Sequence, residues 1–275
     1  MIRNRVIRNQ KVKTASNSPS PYSGGITIKS EKELASMAVA GGIVGEVLTL
    51  LKRSVEPGIT TKELDNIAYK EITRHGATPT FKGYLGFPSS ICTSVNEEIV
   101  HGIPGKRVLK EGDIIKMDVG ATIEGFIGDA AISVAVGKVS QHAIDLMDTT
   151  RESLVEGIKA AQPGNRVGDI GLAVQTYGEA QGYGVVREFV GHGVGRYLHE
   201  EPQVPNYRDP TKGPGPLLRP GMCIAIEPMF NIGGWETRIL DDEWTVVTKD
   251  GELSSHFEHT IAITEEGPII LTVHR

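Results

Sequence analysis

Four carboxylates lie in segments whose other residues are typical of buried strands. Asp118 ends "GDIIKMD", Asp129 begins "DAAISVAVG", Glu227 ends "GMCIAIE" and Glu258 begins "EHTIAITEEG". An ionised carboxylate in an apolar interior loses several kcal/mol of hydration unless a cation or hydrogen-bond donors compensate. One such residue could belong to an ordinary buried ion pair, whereas four predict an acidic pocket. Lys116 could neutralise Asp118, because a regular strand puts both side chains on one face and a bulge would separate them.

Two histidines lie in the glycine-rich stretch "VGHGVGRYLHEEP", residues 190–202. His192 is the better candidate for a metal ligand, since its flanking glycines would let the backbone approach an ion. With the four carboxylates it would complete a set of five residues able to hold two divalent cations. A glycine-rich turn with an incidental histidine is the alternative.

His199 and His101, the latter in "EEIVHGIPG", remain as imidazoles that are not ligands. During metal-assisted hydrolysis of an amide, neutral imidazoles can donate to the developing oxyanion or move the proton to the leaving amine. Each of them, taken singly, could also be an ordinary capping or turn histidine.

An internal repeat predicts the elements that carry these side chains. "PGITTKELDNIAYKEITRHG" (57–76) matches "PGNRVGDIGLAVQTYGEAQG" (163–182), and each follows a stretch with helical periodicity, 31–53 and 141–161. "LKEGDIIKMD" (109–118) aligns with "LRPGMCIAIE" (218–227), which makes Asp118 equivalent to Glu227, and Asp129 pairs with Glu258 in the same way. We therefore expect two related halves, with the acidic pocket on the axis between them.

Composition narrows the class of partner. The 275 residues carry a formal net charge of -5 without a long basic stripe, which argues against nucleic acid and anionic membranes. Cys92 and Cys223 are too few for a disulfide framework, and we expect no apolar run of the roughly 18 residues that span a bilayer. We expect a cytoplasmic protein with a flexible tail over 1–25 and one catalytic domain over 26–275.

Five stretches together resemble one known family, the type I methionine aminopeptidases, from about residue 27 to 273. They are "NEEIVHGIPG", "GDIIKMDVGATIEGFIGDAA", "VGHGVGRYLHEEPQVPN", "GMCIAIEPM" and "DDEWTVVTKDGELSSHFEHTIAIT". The resemblance implies the pita-bread α/β fold, with two pseudo-symmetric halves and helices outside curved antiparallel strands. It also implies removal of the N-terminal Met from nascent proteins and peptides when the second residue is small.

The resemblance implies a role for each candidate residue. Asp118 and Asp129 would hold one divalent ion (Co, Mn, Fe, Zn or Ni), and Asp129, His192, Glu227 and Glu258 the second. Glu227 would also accept a proton from the attacking water. His199 would contact the scissile carbonyl or amide, while His101 would orient the substrate and transfer protons. Only 35 positions (227 − 192) separate His192 from Glu227, too few for the insertion of the type II branch.

The resemblance places the methionine pocket at Tyr84, Phe87, Cys92 and Trp244, and aromatic and sulfur-bearing side chains suit a thioether. Two residues depart from the family pattern and bear on the shape of this pocket. Phe81 stands where a small or sulfur-bearing residue is expected, and Leu198 where an aromatic is common.

Two alternatives differ in what they do with the same fold. A proline-specific aminopeptidase or dipeptidase shares the ligand set but usually adds a large N-terminal domain. A non-catalytic peptide-binding module would have lost ligands. We expect a monomer that acts on nascent polypeptides, with the tail as a possible ribosome contact.

Overall fold

The computed structural model describes residues 25–273, so the predicted tail, 1–25, lies outside the described residues except for Gly25. Four α-helices are present in this part of the chain, together with a short 3-10 helix at Tyr84–Gly86: α1 Glu31–Ser54, α2 Thr61–Arg74, α3 Gln141–Ala160 and α4 Val167–Ala180. The strands are β1 Thr78–Pro79, β2 Cys92–Val95, β3 Glu98–Val100, β4 Ile114–Ile123, β5 Phe126–Ala135, β6 Gly184–Val185, β7 Gly191–Gly193, β8 Glu200–Val204, β9 Cys223–Ile226, β10 Met229–Asn231, β11 Thr237–Ile239, β12 Val246–Thr248, β13 Ser254–His256, β14 His259–Thr264 and β15 Gly267–Ile270.

The helices begin where local sequence provides a cap. Ser30 and Glu33 form a capping box at the start of α1, and Thr60 and Glu63 form the equivalent box before α2. The sequence predicted helices over 31–53 and 141–161 and within the two repeated segments, 57–76 and 163–182, and the four α-helices lie there. The prediction of a helical pair in each half is confirmed.

Helix α1 corrects one expectation from the sequence. By length and composition it could cross a bilayer, contrary to the expectation that no run is long enough, and half of its most apolar window is buried inside the fold. Its buried residues, among them Met37, Val44 and Leu48, face the strands of the first half. Its apolar composition is therefore that of a helix packed in the core.

Two sheets form the centre of the molecule, one in each half. In the first, β5 pairs with β4 along its whole length through a tight hairpin, while β2 and β1 pair with successive stretches of β4, 115–118 and 121–122. The turn residues of the hairpin, Glu124 and Gly125, both have positive φ, 51° and 76°, as a two-residue hairpin of this hand requires. In the second half the strand order is β15-β14-β9-β7-β8.

The helices cover these sheets from outside. Helix α1 packs on β4 and β5 and against α2, while α3 packs against α4 and contacts β9, β10 and β13. The halves meet where β5 contacts β14, and the two backbones exchange hydrogen bonds between Ala131 and Glu258 (2.9 Å and 3.4 Å). The predicted arrangement of two pseudo-symmetric halves with outer helices and antiparallel strands is confirmed.

Lys116 and Asp118 lie on one face of a strand without a bulge. Strand β4 keeps a regular register, in which Lys116 pairs with Ser94 and Ser133, and Asp118 with Cys92 and Ala131. The buried Lys116 ammonium donates to the carbonyl oxygen of Asn96 (2.7 Å), and burial lowers its pKa to about 7. The lysine is thus anchored to the backbone at Asn96.

Candidate metal centre and substrate pocket

Every site residue predicted from the sequence borders one cleft of ≈ 690 Å³. The structure therefore brings together the five predicted ligands, the two other histidines and the residues of the methionine pocket. The lining consists of Phe81, Tyr84, Leu85, Phe87, Cys92, His101, Asp118, Asp129, His192, Leu198, His199, Glu227, Trp244 and Glu258.

Asp129 and Glu258 are positioned by hydrogen bonds that join the two halves. The backbone N–H of Asp129 donates to the hydroxyl of Thr260 (3.1 Å), and that hydroxyl donates to the carbonyl of Asp129 (2.7 Å). The backbone N–H of Glu258 donates to the carbonyl of Ala131 (2.9 Å). The equivalent carboxylates of the repeat therefore lie side by side at the boundary between the halves.

His192 presents a lone pair to the carboxylates. Its Nδ1 lies 2.9 Å from the carbonyl oxygen of Gly193, which can only accept, so Nδ1 carries the proton and Nε2 is free to coordinate. Nε2 lies 3.8 Å from Asp129 Oδ2 and 3.7 Å from Glu227 Oε1. These separations fit atoms that share an ion, each about 2 Å from it. Ligand atoms of Asp129, His192 and Glu258 also lie within 4.8 Å of one another.

The carboxylates have oxygens that no donor within the described chain satisfies. Asp118 Oδ1, Asp129 Oδ1 and Glu258 Oε1 are buried without a hydrogen-bond partner. Burial raises the pKa of Asp118 to about 7, and burial together with neighbouring carboxylates raises the pKa values of Asp129, Glu227 and Glu258 well above their usual range. A divalent cation reverses this effect by favouring the ionised forms. The donor set therefore fits divalent metal.

The glycines around His192 make room for neighbouring strands. A Cβ on Gly191 would lie 2.3 Å from the carbonyl oxygen of Ala225, and one on Gly193 would lie 2.2 Å from that of Glu201. The sequence suggested that they let the backbone approach an ion. The glycines instead let β7 approach its neighbouring strands, β8 and β9. This close packing sets how deep in the cleft the His192 imidazole lies.

His199 contacts two other residues of the site. Its Nδ1 lies 2.7 Å from the hydroxyl of Tyr84, and its ring centroid lies 4.4 Å from that of His192. Burial, followed by repulsion from the protonated form of His192, lowers the pKa of His199 to about 3. The imidazole is neutral at pH 7. The sequence placed Tyr84 in the methionine pocket but gave no sign of its bond to His199.

His101 is held by a strained backbone. Its φ is 61°, in the left-handed region that a side chain of this size rarely adopts. The following Gly102 fixes the turn, since its N–H donates to the hydroxyl of Ser94 (3.0 Å) and a Cβ there would lie 2.2 Å from the carbonyl of Thr93. Burial lowers the pKa of His101 to about 4, which keeps it neutral at pH 7.

The apolar end of the cleft combines rings and sulfur. Phe87 and Trp244 meet edge to face with centroids 5.1 Å apart, and Cys92 is buried beside them. Phe81 and Leu198, the two departures from the family pattern, are both buried and line the same cleft. They are therefore part of the wall that shapes the pocket.

A buried ion pair fixes the loop that carries His199. Glu200 accepts from the ammonium of Lys29 at 2.9 Å and from the hydroxyl of Thr27, and its other oxygen accepts from the backbone N–H groups of Arg196 (2.9 Å) and Tyr197 (3.2 Å). No feature of the sequence indicated this ion pair. It ties the segment before α1 to the residue adjoining His199.

The chain is similar in sequence and in structure to known metallopeptidases. The sequence pattern of Metallopeptidase family M24 matches residues 35–265, and the chain belongs to this family. Within it the chain belongs with the methionine aminopeptidases: it is 54% identical to Methionine aminopeptidase 1 of Bacillus subtilis over 247 residues, which cover 90% of this chain and 99% of that protein. The crystal structure of methionine aminopeptidase from Thermotoga maritima superposes with a TM-score of 0.88 at 44% identity, over 90% of this chain and 100% of that one.

More distant relatives show the fold alone. Prolidase from Pyrococcus furiosus matches with a TM-score of 0.74 at 21% identity, and the matched part covers 66% of that protein. The predicted family, the pita-bread fold and the class of enzyme, a metal-dependent aminopeptidase, are confirmed. Neither the proline-specific alternative nor the non-catalytic one is favoured.

Proposed function

We propose that this chain removes the N-terminal methionine from peptides and nascent polypeptides whose second residue is small. The observation that carries the proposal is the composition of the cleft. One end is lined by Phe87, Cys92 and Trp244, and the other by four carboxylates and three imidazoles. An unbranched thioether packs well against aromatic edges and sulfur, while the polar end suits hydrolysis of the adjoining amide.

Two divalent ions are proposed at the polar end. Asp118, Asp129 and Glu258 would hold one, and Asp129, His192, Glu227 and Glu258 the other, so that Asp129 and Glu258, which are joined across the halves, would be ligands of both. Bound there, divalent ions polarise the scissile carbonyl and make a water molecule more acidic. Carboxylate and imidazole ligands accept Co, Mn, Fe, Zn or Ni, and availability selects among them.

The remaining chemistry is assigned to protein groups. The Glu227 carboxylate accepts the proton of the attacking water. If the Tyr84 hydroxyl donates to Nδ1 of His199, the neutral ring carries its proton on Nε2, and Nε2–H donates to the carbonyl oxygen as negative charge develops. His101, also neutral, orients the substrate and transfers the proton taken from the water to the leaving amine, accepting it at one ring nitrogen and releasing a proton from the other. The acidic cluster binds the free α-amine.

Substrate selection is proposed at two positions. The aromatic and sulfur-lined pocket takes the methionine side chain, with Phe81 and Leu198 narrowing its wall. The second residue must fit between the ions and the protein. The resemblance to the methionine aminopeptidases implies that Gly, Ala, Ser, Thr, Pro, Val and Cys are accepted there and that long side chains are refused. Because one methylene in an apolar pocket discriminates by only about 10- to 200-fold, a larger difference between Ala and Leu requires steric exclusion.

A comparison of peptides tests these assignments. With Mn²⁺ or Co²⁺ present, kcat/KM is measured for Met-Ala-Ser, Met-Leu-Ser, Leu-Ala-Ser and formyl-Met-Ala-Ser. We expect rapid cleavage of the first alone. Rapid cleavage of the formylated peptide would refute the role of the free amine. Faster cleavage of Ala-Pro-Ala than of Met-Ala-Ser would favour the proline-specific alternative.

The state of the cysteines supports a setting for the enzyme. Both are free and buried, which suits a reducing compartment, and we propose a monomer that acts on peptides in the cytoplasm. Residues 26–275 would form the catalytic domain and 1–25 a tail able to contact the ribosome. Sedimentation of the full chain and of a chain lacking the tail, each with and without ribosomes, tests both statements.

A further inference from the structure

His256 is a buried imidazole to which the sequence analysis assigned no role. It ends β13, is 1% exposed, and has no hydrogen-bond partner for Nδ1 or Nε2 among the described residues. Ser133 fixes its backbone on both sides, since the Ser133 hydroxyl accepts from the His256 N–H (3.0 Å) and donates to the His256 carbonyl (2.8 Å). The ring is thus held inside the protein without a polar contact of its own. Buried polar groups normally have partners.

The nearest acidic group to this ring belongs to the proposed metal site. His256 Nε2 lies 3.8 Å from Glu227 Oε2, while the other oxygen of that carboxylate, Oε1, lies 3.7 Å from Nε2 of His192. One carboxylate therefore lies between two imidazoles, with a different oxygen toward each. The Nδ1–H of His192 is committed to Gly193, so Nε2 of the neutral ring carries no proton and cannot donate to Glu227.

We propose that His256 is a positioning residue for Glu227. Its Nε2–H donates to Oε2 of Glu227, which leaves Oε1 directed toward the ion beside His192. A side-chain shift of about 1 Å brings the two atoms to hydrogen-bonding distance. Hydrogen bonds from outside the ligand set orient coordinating carboxylates, and their loss typically costs 10- to 100-fold in metal affinity or activity. The inference rests on the proposed metal site.

Two amide substitutions test which ring nitrogen of His256 is needed. In His256→Gln the amide nitrogen can take the place of Nε2 and still donate to Glu227, whereas in His256→Asn the shorter amide reaches only the place of Nδ1. Both are polar and similar in size, so each controls for the other. The readout is Co²⁺ affinity by calorimetric titration, with the visible absorption of the bound Co²⁺ as a report on ligand geometry.

We expect His256→Gln to bind Co²⁺ within about 3-fold of the unmodified protein and His256→Asn to bind about 10- to 100-fold more weakly with an altered spectrum. Equal affinities in the two variants, whether both high or both low, would overturn the role of His256. An unmodified protein that binds no divalent ion would instead refute the proposed metal site, and the two failures are therefore distinguishable.

A second measurement needs no folded Asn variant. In the Zn²⁺-loaded protein labelled with ¹⁵N-histidine, long-range ¹H–¹⁵N correlations reveal which nitrogen of each ring is protonated. We expect the proton of His256 on Nε2, with the signal assigned by its loss in His256→Gln or by through-bond correlation. A proton on Nδ1 with a bare or metal-bound Nε2 would overturn the proposal, because such a ring cannot donate to Glu227.

Discussion

Replacement of Lys29 by Met should weaken both the fold and catalysis, through one buried carboxylate. The substitution keeps the length of the side chain and removes its charge. It leaves Glu200 inside the protein without its cation, and both side chains are only 6% exposed. Glu200 immediately follows His199, and Arg196 and Tyr197 of the same loop donate their backbone N–H groups to it. Motion of this carboxylate would therefore be transmitted to His199.

The magnitude follows from burial and from the donors that remain. Removing one partner of a buried ion pair costs about 3–5 kcal/mol. Glu200 would keep two backbone N–H donors and the hydroxyl of Thr27, so we expect the lower end, about 3 kcal/mol. In the double variant Lys29→Met, Glu200→Gln no buried charge remains. It should recover part of that loss, which a thermodynamic cycle would reveal.

Urea unfolding at pH 7 and at pH 4 measures the loss of unfolding free energy in Lys29→Met and the direction in which that loss changes with pH. Burial acts to raise the pKa of Glu200, but its bonds with Thr27 and Lys29 outweigh burial and lower the pKa below its usual 4.5. The contribution of the pair is therefore present above pH 4.5 and is lost as the pH falls through the folded-state pKa. The difference in unfolding free energy between Lys29→Met and the unmodified protein should shrink as the pH falls below 4.5.

The catalytic consequence distinguishes positioning from general damage. We expect kcat for Met-Ala-Ser to fall about 10-fold in Lys29→Met, with Mn²⁺ affinity unchanged because Glu200 lies outside the proposed ligand set. Lys29→Arg keeps the charge and serves as the control. A loss of less than 1 kcal/mol in unfolding free energy, or an equal loss of Mn²⁺ affinity, would refute the reasoning.

Four further substitutions and one control test the site. Asp129→Ala removes the proposed bridging oxygens and should lower activity by orders of magnitude. Near-normal turnover at saturating Mn²⁺ would contradict the proposal that Asp129 binds both ions. His192→Ala should lose metal affinity, whereas His199→Ala should bind Mn²⁺ normally and turn over about 100-fold more slowly; equal loss of metal in both variants is the contrary result. Tyr84→Phe removes the hydroxyl 2.7 Å from His199 and should lower kcat about 10-fold at unchanged metal affinity, with Phe87→Leu as a control that should mainly change KM.

The sequence was most informative where the chain repeats itself. Two aligned segments were enough to pair Asp118 with Glu227 and Asp129 with Glu258, because a carboxylate inside an apolar strand is costly and therefore conspicuous. The helices were predictable for a local reason, since their caps and periodicity depend on residues only a few positions apart. Whether Lys116 and Asp118 lie on the same face of β4 depends on the regularity of that strand, which could not be predicted from the sequence.

Long-range contacts account for what could not be predicted. Tyr84 and His199 are 115 positions apart, and Lys29 and Glu200 are 171 apart. No repeat or period links the members of either pair. His256 gave no signal at all, because a histidine at the end of a short strand is unremarkable until both of its nitrogens are found buried and unpaired. These contacts depend on how the halves pack, which is a property of the whole fold.

The hydrogen bonds between β5 and β14 also set the order in which a new molecule becomes an enzyme. Asp129 and Thr260 are 131 positions apart, so β5 leaves the translation machinery long before its partner exists. A growing chain can fold its first hairpin early, because those contacts are local, but the distant strand must arrive before the two halves can close. The proposed metal centre needs carboxylates from both halves, Asp129 from the first and Glu258 from the second. Each copy therefore stays inactive until Glu258 and the strand after it have been synthesised and have paired with β5.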